Sequence, residues 1–438
     1  MSTLSILIVL PLLIVFSYIF DLIARKTKFP SVILLMFTGI LIRIGTTVYG
    51  VNEFGFLDNL IPVLGTIGLI LIVLEGALEL DITAEKLPVI IKGFLAAGII
   101  LILNIIAISL AFEHLLGMSA QAAVIYATPL SIISSAVAIP SSAGLREQEK
   151  EFVVYESTFS DILGIMVFNY AIRQFETNQA LVSVESLIAL GLQILGVIVI
   201  SLLITFCLFY LLQKIEHHVK FFLILALLIL VYAFGKFFHL PALVTIFIFG
   251  LFLSNVKALL PDFMKQRLDI EATEKGLHEF HILTAESTFL VKTFFFLFFG
   301  FSIDVTAFTS PDPFIYGLLI FGIMLGLRYG YFILTTFKIT PSPLVFISPR
   351  GLISILLFLQ IAEVGFLKEV KTLVDERVLL VVILASMLAM TRGTMKKAKV
   401  PVEALNELEA PEEDTAIDIL LQNEDNEKLP PAGAEKEE

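Results

Sequence analysis

Apolar runs of about 20 residues recur along this chain from Leu4 to Met390. A run of that length spans the hydrocarbon core of a bilayer as a helix. Lipid offers the backbone no hydrogen bonds, so the crossing segments must satisfy their own. Runs this long and this numerous make the chain an all-α polytopic membrane protein with the lipid bilayer as its solvent. Composition agrees. Of 438 residues, 58% are hydrophobic and 16% charged, whereas a soluble domain carries about 25% charged residues.

The runs fall near 4–24, 31–48, 60–79, 88–112, 119–142, 152–175, 183–213, 219–236, 240–256, 285–303, 313–337, 342–363 and 373–391. That predicts about thirteen transmembrane helices. The first run lacks a basic segment before it, and Arg25, Lys26 and Lys28 follow it. It reads as a spanning helix and not as a cleaved signal. Basic residues alternate between loops in the sense that puts the N-terminus outside and the C-terminus in the cytoplasm, in the cell (inner) membrane. The formal net charge of −12 gathers in the tail, so it argues for no nucleic-acid partner. Residues 1–394 form the expected transmembrane domain and 395–438 a short acidic cytoplasmic tail, with a short helix around Ala416–Leu421. The charged connection 257–281 is expected to lie along the surface as an amphipathic helix. Cys207 is the only cysteine. It can make no intrachain disulfide and is expected to be a buried thiol.

Two pairs of segments look alike. LEGALELD carries Gly76 and Asp81; FFGFSID carries Gly300 and Asp304, with the glycines 224 positions apart. ATPLSIISSAV and ISPRGLISILL align Pro129 with Pro349 and Ser134 with Ser354, 220 positions apart. An offset of seven spans, an odd number, makes an inverted repeat, the plan of many secondary transporters. Both copies place proline and small polar residues in mid-membrane, so the fifth and twelfth spans are expected to be broken, crossing helices. Such breaks survive only where they line a cavity or pack within protein.

Acids in lipid are expensive and mark function. The sixth span opens with YESTFSD and so holds Glu156 and Asp161. Ser157 and Asp161 lie about 40° apart on the helix, whereas Glu156 and Asp161 lie about 140° apart. The two acids therefore have different jobs. Asp161, with hydroxyls beside it, suits a small cation (Na+ or K+). Glu156 needs a basic partner, and Arg328 in the eleventh span is the natural one. Arg350 is a fixed charge in the broken twelfth span. Lys292 either snorkels to the surface or takes an accessory part. Glu75, Glu79 and Asp81 at the end of the third span read as solvated.

These residues resemble the monovalent cation/proton antiporters, the superfamily of bacterial and organellar sodium–proton exchangers, and most closely its electroneutral branch. The carriers are YESTFSD at 155–161, SSAVAIP at 134–140, LEGALELD at 74–81, KTFFFLFFGFSID at 292–304 and SPRGLIS at 348–354. Glu156, Ser157 and Asp161 match the sixth-helix signature, and Ser160 stands where Asn or a second Asp would be. The fifth-helix Thr-Asp-Pro is altered: Ser134–Ser135–Ala136 or Thr128–Pro129 takes its place, and the Asp is missing. The cation and its ligand set stay open among Asp161, Ser157, Glu156, Ser160, Ser134, Ser135 and Thr128. The resemblance implies a homodimer, with helices 1–3 and 7–10 as the dimerisation part and helices 4–6 and 11–13 as a moving core. It also implies that the sixth-helix Glu pairs with the eleventh-helix Arg. The expected activity is exchange of a monovalent cation, Na+ before K+ or Li+, for protons, one for one, on the shared carboxylate of Asp161. It needs no cofactor and involves no enzyme chemistry. A gated cation channel or a channel-like potassium efflux protein is the alternative, and a sensor with a transporter-like body is a third.

Overall fold

In the computed structural model the described residues are 3–27, 29–48, 57–177, 184–214, 220–237, 242–259, 270–303, 311–336, 343–363 and 374–397. They are helical along the apolar runs, except at 132–134 and 347–351, where two runs are interrupted. The elements are α1 (Thr3–Thr27), α2 (Ser31–Val48), α3 (Leu57–Leu78), α4 (Leu87–Leu116), α5 (Ala120–Ser131), α6 (Ser135–Ser141), α7 (Glu147–Glu176) and α8 (Val184–Lys214). There follow α9 (Lys220–Phe237), α10 (Ala242–Ser254), α11 (Val256–Leu259), α12 (Ile270–Ser302), α13 (Asp312–Thr336), α14 (Pro343–Phe346), α15 (Leu352–Glu363) and α16 (Glu376–Lys397). Among the described residues, 7 stretches are long and apolar enough to cross a membrane. Shorter apolar helices such as Ala242–Ser254 and Leu352–Ile361 stand beside them. The 30-residue α7 is long enough as well, but its acids set it apart.

Packing follows the apolar faces. α12 lies along α2 and α3, and α10 joins α3 to α8. α4 packs along α7 and α5, and α15 leans on α5. Large apolar side chains such as Leu7, Phe37, Leu95 and Leu203 are exposed, which suits a surface facing lipid.

Three expectations need correction. The charged connection does not form a separate surface helix at 270–281, because those residues belong to the continuous 33-residue α12. No proline interrupts that stretch, and at about 1.5 Å per residue α12 is longer than the hydrocarbon is thick. Cys207 is exposed and not buried. It sits on an outward face of α8, where an apolar thiol is at no disadvantage against lipid. The two prolines aligned by the repeat also differ in setting: Pro129 lies inside α5, whereas Pro349 lies between α14 and α15. Contacts divide the chain into Met1–Met395 and Lys396–Glu438. Asp304 and the tail beyond 397, including Ala416–Leu421, lie outside the described residues.

Candidate functional site

Two helices are interrupted, and their interruptions meet. α5 stops at Ser131, and Ile132 and Ser134 take extended backbone before α6 begins. Pro129 lies in the last turn of α5 and supplies no amide hydrogen to the turn before it. On the other side, Ile347 to Gly351 is non-helical between α14 and α15, with Pro349 at its centre. The Ser134 amide donates to the Pro349 carbonyl at 2.8 Å. Gly351 is required by this closeness, since a Cβ there would stand 2.5 Å from Ser134 Oγ.

Each break exposes backbone groups that lipid cannot satisfy, and named side chains take them up. The Ile133 amide donates to Ser160 Oγ at 3.0 Å. The Arg350 guanidinium donates to the carbonyls of Leu130 at 2.8 Å, Ser131 at 3.2 Å and Ser348 at 2.5 Å. Arg350 is 1% exposed, so its positive charge sits where α5 ends its run of carbonyls, as a C-terminal cap does. Its own amide donates to Ser386 Oγ of α16 at 3.1 Å.

Asp161 lies against the first break. Its Oδ2 accepts from the Ser135 hydroxyl at 2.5 Å and from the Ser135 amide at 3.3 Å. Its Oδ1 is buried, and no protein group among the described residues bonds it. The same holds for Ser134 Oγ, Thr158 Oγ1 and Ser354 Oγ. Buried oxygens without partners are rare and costly. Several on the broken segments and α7 make an oxygen-lined setting that a dehydrated cation could use.

The remaining site residues divide by what they touch. The Ser157 hydroxyl donates to the Val153 carbonyl at 2.7 Å and Thr128 to the Val124 carbonyl at 2.7 Å. Their protons are spent on the helix, but their lone pairs are not. Glu156 faces away from Asp161 and meets Arg328 of α13 through two hydrogen bonds, 2.6 and 2.7 Å long. Both side chains are 1% exposed. Arg328 also donates to the carbonyls of Leu344 and Ile347 beside the second break, and it stacks over Phe332. Lys292 lies 3.5 Å from Glu75, so Glu75 is paired and not simply solvated.

Other partnerships had no signal in the sequence. Asn255 accepts from the Ile82 amide and donates to the Leu80 carbonyl. Tyr155 donates to the Asp81 carbonyl. Lys86 pairs with Asp81 at 3.1 Å and with Glu151 at 3.2 Å. Partial burial would lower the Lys86 pKa, but the two carboxylates outweigh it and hold the ammonium above its ordinary range. These contacts pin the turn between α3 and α4 from both sides. A polar residue in a turn gives no hint of such distant partners.

The fold is that of a known transporter. Two solved structures of the sodium proton antiporter MjNhaP1 from Methanocaldococcus jannaschii are similar to it, each at 20% identity over 91% of this chain. They are covered over 100% and 96% of their length, with TM-scores of 0.66 and 0.65. No curated protein matches the chain. Residues 12–396 match the family described as the transmembrane sodium/hydrogen exchangers. That match takes in every residue of the crossing and both buried arginines, and the chain belongs to the sodium/hydrogen exchanger family, a family of transporters and not of enzymes.

Proposed function

We propose that this protein exchanges Na+ for protons across the cell membrane, with Asp161 as the carboxylate that holds either ion. The supporting observation is the one-sided bonding of that carboxylate: Ser135 holds Oδ2, while Oδ1 has no protein partner. Fixed by one oxygen, the group offers the other to a proton or to a cation, and the two exclude each other. Ser134, Ser135, Ser157 and Ser160 are the oxygens placed to complete the ligand set, with Thr128 behind them. Glu156 and Arg328 form a buried charge pair that serves the scaffold and does not carry the ions, and Arg350 balances the carbonyls of the breaks.

Antiport needs one more element, a barrier to return of the empty, charged site. Asp161 carrying a proton or a monovalent cation is neutral, whereas empty Asp161 is an unpaired buried charge and costly to move through lipid. Because Ser160 stands where a second acid would be, only one carboxylate changes state, and one proton leaves for each cation bound. Apparent cation affinity should fall at low pH, where protons compete, and level off as pH rises. We read the architecture as about thirteen helices in an inverted repeat. The moving part holds α4–α7 and α13–α16; the dimer-forming part holds α1–α3 and α8–α12. The N-terminus lies outside.

The experiment is cation-driven proton movement in proteoliposomes, comparing Na+, K+ and Li+ under imposed membrane potentials. Exchange in which Na+ is preferred and voltage shifts neither rate nor end-point supports the proposal. Preference for K+ would reassign the cation, a voltage-driven end-point would refute one-for-one exchange, and cation flux without proton movement would make the protein a channel.

A further inference from the structure

The turn between α3 and α4 is held from two sides, and the two holds differ in kind. On one side stands the end of α10. Asn255 is 4% exposed and uses both ends of its amide. Its Oδ1 accepts from the Ile82 amide at 2.6 Å, and its Nδ2 donates to the carbonyls of Leu80 at 2.8 Å and Leu251 at 2.9 Å. Breaking these bonds would strand a buried amide, so this hold is fixed. On the other side stands α7. Tyr155 donates to the Asp81 carbonyl at 2.7 Å, and Lys86 joins the carboxylates of Asp81 and Glu151 at 3.1 and 3.2 Å. The Asp81, Lys86 and Glu151 side chains are 57%, 33% and 21% exposed. Water replaces ion pairs of this kind at little cost, so this second hold can open.

The two sides belong to different groups of helices. α10 packs on α3 and α8, and α3 packs on α12. α7 packs on α4, α5 and α6. Between the groups, α3 meets α6, α7 and α15 more lightly. Close approaches follow the same division. A Cβ on Gly250 of α10 would stand 2.7 Å from the Ala77 Cβ of α3, and one on Gly93 of α4 would stand 2.9 Å from the Tyr155 Cβ of α7. Each group is tight within itself. The 79–86 turn is the covalent link from α3 to α4, and so from one group to the other. Within it Leu80 and Ile82 are tied to α10, while Asp81 between them is tied to α7.

We propose that Asp81, Tyr155, Lys86 and Glu151 form a clasp that ties the two helix groups together at this end of the molecule and opens in each transport cycle, while the Asn255 side stays shut as the hinge. In the exchange reading the part that holds Asp161 moves, and α7 cannot shift against α3 while Asp81 is tied to it. Partly exposed ion pairs and one phenol bond suit a contact that is made and broken repeatedly. A buried, fully bonded amide suits one that is not. The clasp rests on the exchange reading for its place in a cycle, but its opening is measured separately.

The test joins each side in turn in the full-length chain. Cys207→Ala removes the only cysteine and serves as the background. Asp81→Cys with Glu151→Cys, joined in proteoliposomes by a short bismethanethiosulfonate, should drop Na+-driven proton movement to the leak of protein-free vesicles, and reductant should restore it. Ile82→Cys with Ser254→Cys spans the hinge side and leaves Asn255 in place. Joined in the same way, it should exchange as fast as before joining, which separates a locked clasp from mere damage to the turn. Spin labels on the same two pairs should report two separations for 81 and 151 and one for 82 and 254. Undiminished exchange in the joined 81–151 protein, or a single separation there, would overturn the clasp, and loss of exchange on joining 82 to 254 would overturn the hinge. Failure of the unjoined protein to exchange ions would refute the exchange reading and leave the spin-label separations to decide whether the clasp opens.

Discussion

Ser135 donates to Asp161 twice, through its hydroxyl and through its amide, and both bonds go to the same oxygen. The amide belongs to the first residue of α6, so the break in the helix is what turns it towards the carboxylate. Asp161 is therefore oriented by the fold while half of it stays available. Asp161→Asn keeps the shape and can still accept from Ser135, so the protein should fold and exchange should vanish. Ser135→Ala should leave exchange measurable and raise the KM for Na+ roughly fivefold, the order expected for one lost hydrogen bond. Proton movement in proteoliposomes checks both, and robust exchange by Asp161→Asn would falsify the mechanism.

The pair of Glu156 and Arg328 is expected to behave as a unit. Removing one member leaves a buried charge alone, at a cost of roughly 3–5 kcal/mol. Glu156→Gln and Arg328→Gln should each lower thermal stability, and the double variant should lose less than the two losses together. Arg328→Gln should be the worse single change, because it also deprives the Leu344 and Ile347 carbonyls of their donor. Additive losses in a thermal unfolding series would show that the pair contributes no coupling.

Arg350 poses a different case, since its bonds go to carbonyls and not to an acid. Arg350→Ala should strand the Leu130, Ser131 and Ser348 carbonyls, each costing roughly 1–3 kcal/mol if left unbonded. Arg350→Lys should recover only part of the loss, because one ammonium cannot match the fork of a guanidinium. Equal stability of the Lys variant and the wild type would show that charge alone matters there.

The Lys86 latch makes a prediction about pH. With Asp81 and Glu151 beside it, Lys86 has a folded-state pKa above its ordinary value of 10.5. Its contribution is thus fully present below the unfolded pKa and is lost as pH rises through the folded one. The latch should hold throughout the neutral range and loosen only in strong alkali. Hydrogen exchange of the 79–86 turn, corrected for intrinsic rate, should be flat between neutral pH and pH ~9. Lys86→Met should raise it at every pH, and a neutral-range change in the wild type would contradict the assignment.

Hydropathy located the helices, because the requirement that each segment bury its own backbone in lipid acts residue by residue along the chain. The run at 31–48 coincides with α2, and the others agree with their helices to within a few residues at most ends. Helix angles alone separated Glu156 from Asp161 and pointed Glu156 at a base. Periodicity could not show what stands opposite each face. Asp161 and Ser135 are 26 positions apart, Glu156 and Arg328 are 172, and Arg350 and Leu130 are 220. Those pairings depend on how helices rotate and cross, and packing over the whole molecule sets that. The same is true of Cys207, which an apolar stretch cannot assign to lipid or to core, and of α12, whose charged first turns read as a separate surface helix until the structure joins them to the helix that packs on α2 and α3. Which oxygens remain unbonded, Asp161 Oδ1 and Thr158 Oγ1 among them, was decided last of all, because a hydroxyl or carboxylate is satisfied or left free only by neighbours that tertiary packing brings to it.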